Sequence, residues 1–377
     1  MDKFAAIRSY KDHEVPNVIN ALLGDNRVTS SFLKLIFPKA YAFIPFKHFF
    51  VRRFLSYKLR SIDNIESYQK IFENLVEKVI NKSISSFSCN GLEKLDNNHR
   101  YLFISNHRDI TLDSALLNYA LYKAGHKTFN IAVGDNLMNT KWVADLMRLN
   151  KSFIIQRSGA TKKEIYSGLS LASQFINKSI FQDNDSVWIA QKQGRAKDGI
   201  DETDPALLKM IHLSERKSKS IADYFNSLSV VPVSISYEFD PNDQLKAMEL
   251  DASELNNKYV KEKDEDLKSI ANGITGFKGH VTLNISEPME FDLNDDYQTI
   301  SNKITNLILN MYELHATNFA ACNLLGWDWH CQTNFSNKEI NLAEKELDKR
   351  IKSLETSARL KLLEQYANPV IRKLQLH

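Results

Sequence analysis

Glycine is scarce in this chain of 377 residues, which contains only 12. None of them forms a G-x-G-x-x-G pattern or the G-K-[ST] ending of a P-loop, so the usual phosphate loops of nucleotide-binding enzymes are absent. Cysteine is rarer still: three residues make no disulfide framework and no paired metal-ligand spacing. We therefore expect a reducing compartment, no metal site and no bound cofactor. No apolar run approaches the roughly 18 residues of a spanning helix.

An excess of charge is also missing. The 49 basic and 46 acidic residues give a net charge of +3, so nothing favours a nucleic acid as partner. Hydrophobic residues make up 43% and charged residues 25%, which is typical of a folded globular protein. These values predict a protein that is soluble or lies on a membrane surface.

One window has no acidic residue, from Asn26 to Ile62, and it combines cations with many aromatic side chains. That composition suits the headgroup region of an anionic bilayer. The alternative is a helical hairpin whose aromatic residues pack on the core, and the two interpretations are compatible. The window contains these residues: Arg27, Lys34, Lys39, Lys47, Arg52, Arg53, Lys58, Arg60, Phe32, Phe37, Tyr41, Phe43, Phe46, Phe49, Phe50, Phe54 and Tyr57.

Strands and helices alternate through the middle of the chain. This order predicts an α/β fold with a largely parallel central sheet, flanking helices, and helical segments at both ends. We predict an N-terminal helical, membrane-associating segment over 1–88, an α/β domain over 89–295 and a C-terminal helical segment over 296–377. The charged stretch 337–366 is typical of a solvated helix. Strands are predicted at 101–105, 128–133, 152–156, 186–191, 230–237 and 280–286, and helices at 65–80, 111–123, 140–149 and 162–178.

The segment YLFISNHRDITLD (101–113) carries the first candidate chemistry. A buried strand runs into His107 and a helix begins a few residues later, which is where open α/β sheets bind ligands. His107 can act as a general base if a carboxylate holds its other ring nitrogen, and Asp109 and Asp113 are the local candidates. In the alternative interpretation Asp109 only caps the helix and His107 lies on the surface.

Two further strand ends carry cations. The strand at 152–156 is followed by Arg157, and the strand at 186–191 by Lys192, Arg195 and Lys197. In a parallel sheet these side chains reach one edge, where they can form a phosphate cradle that Gly194 allows a ligand to approach. The alternative is solvated charge at loop starts. A histidine base beside a phosphate site suggests a transferase that activates a hydroxyl of a phosphorylated acceptor.

Four motifs in this order resemble the glycerol-phosphate and lysophosphatidate acyltransferase family. NHR (106–108) with a following aspartate resembles the H-x4-D motif of the family, and GLEKL (91–95) before it resembles the G-x-E-N-L lead-in. FIIQR (153–157) resembles the second motif of the family, and IAQKQGR (189–195) resembles its F-P-E-G-T-R-S motif. VVPVS (230–234) resembles its V-P-V strand. Two departures stand out. Asp113 lies six residues after His107 instead of five, and Gln193 stands where the family has glutamate.

The resemblance implies transfer of a fatty acyl group from an acyl thioester to a hydroxyl of a glycerol-phosphate or lysophospholipid, in phospholipid biosynthesis. His107 with Asp113, or with Asp109, is then the catalytic pair. The donor is acyl-CoA or acyl carrier protein, used as a substrate. The protein is expected in the cytoplasm, attached peripherally to an anionic membrane surface. The implied substrate-binding residues are Asn106, Arg108, Arg157, Lys192, Gln193, Gly194, Arg195 and Lys197.

Two competing hypotheses remain open. A catalytically weak lipid-binding scaffold would retain the fold and the basic cradle but lose turnover through the shifted aspartate and Gln193. A hydrolase has only His107 and the carboxylates in its favour. Thioester consumption that depends on an added lysolipid separates the acyltransferase from both.

Overall fold

The computed structural model describes residues 2–36, 47–256, 259 and 265–376. Within these residues, the strands form one seven-stranded sheet in the order β1-β7-β6-β2-β5-β3-β4. The strands are β1 (Ile84–Asn90), β2 (Leu102–Ser105), β3 (Asn130–Gly134), β4 (Ser152–Ile155), β5 (Val187–Ala190), β6 (Val230–Tyr237) and β7 (Gly279–Ile285).

Five neighbouring strands of this sheet, from β6 to β4, run parallel to one another. Strand β7 is antiparallel to β6, and β1 is parallel to β7. The carboxyl ends of the five parallel strands therefore meet at one edge, with β2 between β6 and β5. The prediction of an α/β fold with a largely parallel sheet is confirmed.

Fifteen α-helices lie within the described ranges, and α5, α6 and α7 confirm the helices predicted at 111–123, 140–149 and 162–178. Helix α4 ends at Ser83 and the chain passes directly into β1, a strand that the sequence did not reveal. The helices are α1 (Val15–Gly24), α2 (Asn26–Ile36), α3 (Lys47–Leu59), α4 (Ile65–Ser83), α5 (Leu112–Lys123), α6 (Lys141–Leu149), α7 (Lys162–Phe181), α8 (Pro205–His212), α9 (Ile221–Ser227), α10 (Asp243–Asn256), α11 (Glu265–Thr275), α12 (Tyr297–Met311), α13 (Ala316–Leu325), α14 (Asn337–Ile351) and α15 (Thr356–Leu374).

Both faces of the sheet are buried by helices. Helices α4 and α5 cover one face, where Leu116, Leu121 and Val76 pack on Phe103. Helices α7, α8, α9 and α12 cover the other. Nine of the twelve residues of α5 are buried, so this helix is almost enclosed by protein. Burying one leucine side chain contributes about 1.5–3 kcal/mol. The start of α5 is therefore a rigid support for the loop that precedes it.

The C-terminal helices form a core of their own. Leu347 of α14 and Leu362 and Val370 of α15 are completely buried among apolar residues of α13. The prediction of one solvated helix over 337–366 is therefore wrong, since the stretch is two helices joined at residues 352–355 and each buries one face. The charged residues that suggested a solvated helix occupy the outer faces.

Helix α3 carries the described aromatic residues of the acid-free window. Leu55 and Leu59 pack toward α1, but Phe49, Phe50, Phe54 and Tyr57 are 67%, 60%, 50% and 61% exposed. For these four side chains, the interpretation as core packing is wrong. Residues 37–46 of the window lie outside the described residues. No helix in the described part of the chain is both long enough and apolar enough to cross a membrane.

The predicted domain boundaries at residues 88 and 295 stay predictions. Strand β1 begins at Ile84, inside the segment predicted to be helical, and pairs with β7. Helix α12 begins at Tyr297, close to the second boundary.

Candidate active site

The chain leaves β2 through Asn106, whose side chain is fully buried. Its Oδ1 accepts a hydrogen bond from the Ile235 backbone N–H at 2.7 Å, and its Nδ2 donates to the Ile235 carbonyl at 2.9 Å. The amide thus replaces one rung of the ladder to β6 where β2 has ended. Asn106 therefore fixes the direction in which His107 follows and has no free group for a substrate.

His107 and Asp113 form a hydrogen-bonded pair. Nδ1 of His107 lies 2.7 Å from Oδ2 of Asp113, and the His107 side chain is 16% exposed whereas Asp113 is fully buried. The edge of the imidazole meets Trp188 at 5.7 Å between ring centroids. Because a carboxylate only accepts hydrogen bonds, Nδ1 carries the proton of a neutral imidazole, and Nε2 is left as the proton acceptor.

Asp113 is the centre of a small network. Its Oδ2 also accepts from the backbone N–H groups of Arg108 (2.6 Å) and Asp109 (3.0 Å), and its Oδ1 from the Tyr237 hydroxyl (2.8 Å). Burial and Asp113 raise the pKa of Tyr237 well above its usual value, so this hydroxyl stays protonated and donates. Charge-assisted hydrogen bonds of this kind are about twice as strong as neutral ones.

Asp109 has a different place. Its Oδ1 accepts from the backbone N–H groups of Thr111 and Leu112, both at 2.9 Å, which caps the start of α5. Its Oδ2 is buried, has no hydrogen-bond partner in the part of the chain that the structure describes, and faces Gly273 of α11. Burial and the nearby Asp113 raise the pKa of Asp109. The geometry therefore favours Asp113 as the partner of His107, and the loop of Asp109 takes up the extra residue of the spacing.

Arg108 points away from His107 into a buried ion pair. Its Nη2 lies 2.5 Å from Oδ2 of Asp201, and its guanidinium lies 5.4 Å from the centroid of the Tyr312 ring. Burial by itself would lower the pKa of the Arg108 guanidinium, but Asp201 and other acidic neighbours outweigh that effect and raise the pKa. Its side chain is thus occupied by internal contacts, so the geometry favours a structural role over substrate binding.

The loop after β5 lies directly beside His107. The backbone N–H of Ala196 donates to the His107 carbonyl at 2.8 Å, and that of Gln191 donates to the Ser105 carbonyl at 2.8 Å. These bonds bring the predicted cradle to the end of β2. Gly194 has a φ of +79° with open space around its Cα, a conformation that side chains rarely adopt.

The cations of this loop differ in what they contact. Lys192 donates to the Ile200 carbonyl at 3.0 Å, and Lys197 pairs with Glu249. Within the described residues, the hydrogen-bond contact of the Arg195 guanidinium is a long one of 3.4 Å from Nη2 to Ser269, and its buried Nη1 has no hydrogen-bond partner there. Arg195 is therefore the cation of the loop that is best placed to bind an anion.

The neighbourhood of this loop also contains a polar groove. Lys192 and the exposed Gln193 line a cavity of about 520 Å³ together with Arg372 of α15 and side chains of α12. Arg372 pairs with Glu202 at 2.9 Å across this groove.

Arg157 lies farther from His107 than expected. It follows β4, the edge strand, and β5 and β3 stand between β4 and β2. At about 4.8 Å between strands this is a separation of about 14 Å. The backbone N–H of Arg157 donates to Asp135. Burial lowers the pKa of the Arg157 guanidinium, and the negative charges of Asp135 and Asp204 oppose that shift. The structure therefore does not bring Arg157 to the side of His107.

Two residues of the site were missed from the sequence. Tyr237 stands at the end of a predicted strand, so its position at the carboxyl edge was a usable signal. Asp201 lies in a loop without regular structure, and nothing in the sequence marks it. No group of three or more His, Cys, Asp or Glu residues suited to a metal ion occurs in the described ranges. The roles of all the candidate residues in binding and catalysis stay predictions.

Residues 86–192 match the family model described as Acyltransferase. None of the curated proteins matches the chain. Among solved structures, the chain is similar to the 1-acyl-sn-glycerophosphate (LPA) acyltransferase PlsC from Thermotoga maritima, at 14% identity over 78% of this chain and 94% of that one. The TM-score between the two chains is 0.34. The matched segment contains both His107 and Asp113, and this match supports acyl transfer as the activity of the chain.

Proposed function

We propose that this acyltransferase moves a fatty acyl group from an acyl thioester to a hydroxyl of a glycerol-phosphate or lysophospholipid, as a step of phospholipid biosynthesis. The observation that carries the proposal is the bond between His107 Nδ1 and Asp113, which leaves Nε2 as the proton acceptor of a partly exposed side chain beside a basic loop. The scaffold hypothesis depended on the shifted aspartate and on Gln193, and the contact between His107 and Asp113 bears on the first of these. The 2.7 Å contact argues against that premise.

The chemistry follows from this geometry. Nε2 of His107 removes the proton of the acceptor hydroxyl, and the oxygen attacks the thioester carbonyl. The carbon–sulfur bond breaks, and the thiol of coenzyme A or of acyl carrier protein leaves with the proton that the imidazolium returns. Asp113 stabilises the imidazolium in between. General-base catalysis of this type contributes about 10²–10⁴-fold.

Arg195 is the proposed ligand of the acceptor phosphate. Its buried Nη1 has no hydrogen-bond partner among the described residues, and a phosphate oxygen would supply one. Arg195→Gln should therefore raise the KM of phosphorylated acceptors and leave that of unphosphorylated lysolipids unchanged. Arg157→Gln is the matched control, since Arg157 is about three strands away. An equal effect of Arg195→Gln on both acceptor types would contradict a phosphate contact.

The test of the reaction combines two donors with a panel of acceptors. Acyl-CoA and acyl carrier protein are each incubated with glycerol 3-phosphate, a lysophosphatidate and an unphosphorylated lysolipid, and products are identified by mass. We expect thiol release that depends on acceptor and falls at least about 10²-fold in His107→Ala. The exposed His330→Ala is the control. Thiol release without acceptor would indicate the hydrolase, and lipid binding without turnover the scaffold.

Membrane attachment is part of the proposal, because the acceptors and products are lipids. Helix α3 exposes four aromatic side chains beside Arg52, Arg53 and Lys58, and a fourth exposed cation, Arg60, follows the end of the helix. Rings at the headgroup level and cations on lipid phosphate together favour an anionic bilayer, at about 1 kcal/mol per cation at low salt. We propose that this surface attaches the enzyme to the inner, cytoplasmic face of a membrane.

Flotation with anionic vesicles tests the attachment. A variant with Arg52, Arg53, Lys58 and Arg60 changed to glutamine should float less than wild type, whereas a variant with four exposed lysines of other regions changed in the same way should not. The control set is Lys217, Lys338, Lys345 and Lys352. Equal losses in both variants would mean that net charge, and not helix α3, decides binding.

A further inference from the structure

Two successive peptide groups follow His107, and both are held at each end. The first joins His107 to Arg108: its N–H donates to Asp113 and its carbonyl accepts from Ala196. The second joins Arg108 to Asp109: its N–H also donates to Asp113. Its carbonyl accepts from Nζ of Lys246 at 2.8 Å. The orientation of this second peptide therefore depends on a side chain outside the segment that matches the family model.

Lys246 is a buried cation with no other evident task. It lies on α10, is 1% exposed on its side chain, and pairs with Asp240. Burial lowers the pKa of Lys246, and Asp240 opposes that shift. A buried ion pair stabilises a fold little, because desolvation offsets most of the attraction. The burial of this ammonium group is better explained by its hydrogen bond to the carbonyl of the Arg108–Asp109 peptide.

We infer that Lys246 is a positioning residue of the active site, which holds the Arg108–Asp109 peptide so that its N–H points at Asp113. A cation on the carbonyl oxygen prevents the peptide from rotating and strengthens the hydrogen bond on its nitrogen side. Asp113 thereby keeps the place from which it contacts His107.

The C-terminal helices contribute to this arrangement. Asp243, at the first residue of α10, accepts from Arg350 of α14 at 2.7 Å and from the Tyr366 hydroxyl of α15 at 2.8 Å. The Tyr366 hydroxyl also accepts from the Asp240 backbone N–H at 2.9 Å. The helix that carries Lys246 is thus anchored on the C-terminal core, which connects that core with the loop after His107.

The inference rests on the proposed role of His107 and is tested by steady-state kinetics of Lys246→Met. A misplacement of about 1 Å near the chemistry costs up to about 10²-fold. We therefore expect kcat to fall about 10–100-fold, with both KM values within about threefold of wild type. Lys246→Arg, which keeps a cationic donor, should recover part of kcat. Lys151→Met is the matched control, since the Lys151 side chain is 15% exposed, pairs with Asp185 at 3.4 Å and donates to the Thr128 carbonyl at 2.8 Å, but lies just before β4, at the opposite edge of the sheet from His107.

Two further variants distinguish positioning from general stability. Lys246→Met with Asp240→Asn removes both charges, so it should recover thermal stability without recovering kcat. In an Asp113→Asn background, Lys246→Met should lower kcat less than about threefold, because the residue acts through Asp113. Recovery of kcat with stability, or an equal loss in both backgrounds, would overturn the inference. If His107→Ala is inactive and Lys246→Met keeps the wild-type kcat, the positioning role of Lys246 is wrong and the proposed function stands. If His107→Ala is active, the proposal that His107 is the general base is wrong.

Discussion

Replacing Asp113 by asparagine separates the two aspartates that the sequence left open. One carboxylate oxygen of Asp113 accepts from His107 and from the backbone N–H groups of Arg108 and Asp109, and the other accepts from Tyr237. In Asp113→Asn one of these oxygens becomes an NH2 group. The amide oxygen can take the three-donor position, since Tyr237 can rotate its hydroxyl to accept from the NH2 group. The fold is then retained.

The loss in activity comes from the missing charge. The imidazolium that forms at His107 in the transition state no longer faces a carboxylate, and a hydrogen bond to a charged group contributes about 1.5–3 kcal/mol. Misorientation of the imidazole adds to that loss. We expect kcat to fall about 10²–10³-fold, which corresponds to about 3–4 kcal/mol of barrier.

The same change at Asp109 should cost much less activity. An asparagine oxygen caps a helix as well as an aspartate oxygen does, so the bonds to Thr111 and Leu112 persist. The new NH2 group would lie against Gly273, where Asp109 Oδ2 has no partner, and an unpaired buried donor costs about 1–3 kcal/mol of stability. We expect less than about a tenfold change in kcat.

Initial rates of acceptor-dependent thiol release, at saturating donor and acceptor, measure both variants. Circular dichroism at the assay temperature shows whether each is folded. A larger kcat loss in Asp109→Asn than in Asp113→Asn, with both folded, would refute the assignment of Asp113 as the partner of His107.

Three further changes test the structure at other points. Burial lowers the pKa of His315 to about 4, so the unfolded chain gains a proton before the folded chain as pH falls. In denaturant titrations, wild type should therefore lose about 2 kcal/mol more of its free energy of unfolding than His315→Gln does between pH 7 and 4.5. Equal losses in the two proteins would contradict this prediction. The Cβ of Gly273→Ala would lie 2.3 Å from Oδ2 of Asp109, so melting temperature and kcat should both fall, unlike those of Gly24→Ala, whose Cβ meets nothing within 4 Å. Gln193→Glu places a negative charge at the cradle and should raise the KM of phosphorylated acceptors; an increase in activity would instead mean that the glutamate of the family is preferable here.

Much of the sheet could be predicted because its strands are short apolar runs between helices. The six predicted strands are present with ends shifted by up to two residues. Strand β1 escaped because its sequence, ISSFSCN, is rich in serine and lies at an edge, where only one face needs apolar residues. Its register is set by β7, almost 200 residues later, and local patterns cannot report such a pairing.

The site was predictable where it depends on strand ends. His107 and the loop of Arg195 meet because β2 and β5 are neighbours. Arg157 was expected at the same place, but strand order is a tertiary property and puts β4 at the far edge. Likewise, Arg108 contacts Asp201, 93 positions later, and Asn106 contacts Ile235, 129 positions later. Local sequence patterns cannot predict contacts between residues so far apart in the chain.

The extra residue between His107 and Asp113 shows why spacing alone did not decide the catalytic pair. Asp113 is the second residue of α5, where the helix dipole favours negative charge, and its carboxylate accepts from the backbone N–H groups of Arg108 and Asp109 in the preceding loop. The inserted residue lengthens only the loop, and Asp109 closes that loop by bonding to Thr111 and Leu112. The distance from Nδ1 to the carboxylate therefore depends on the end of β2 and the start of α5, both fixed by buried neighbours, and not on the number of residues between them.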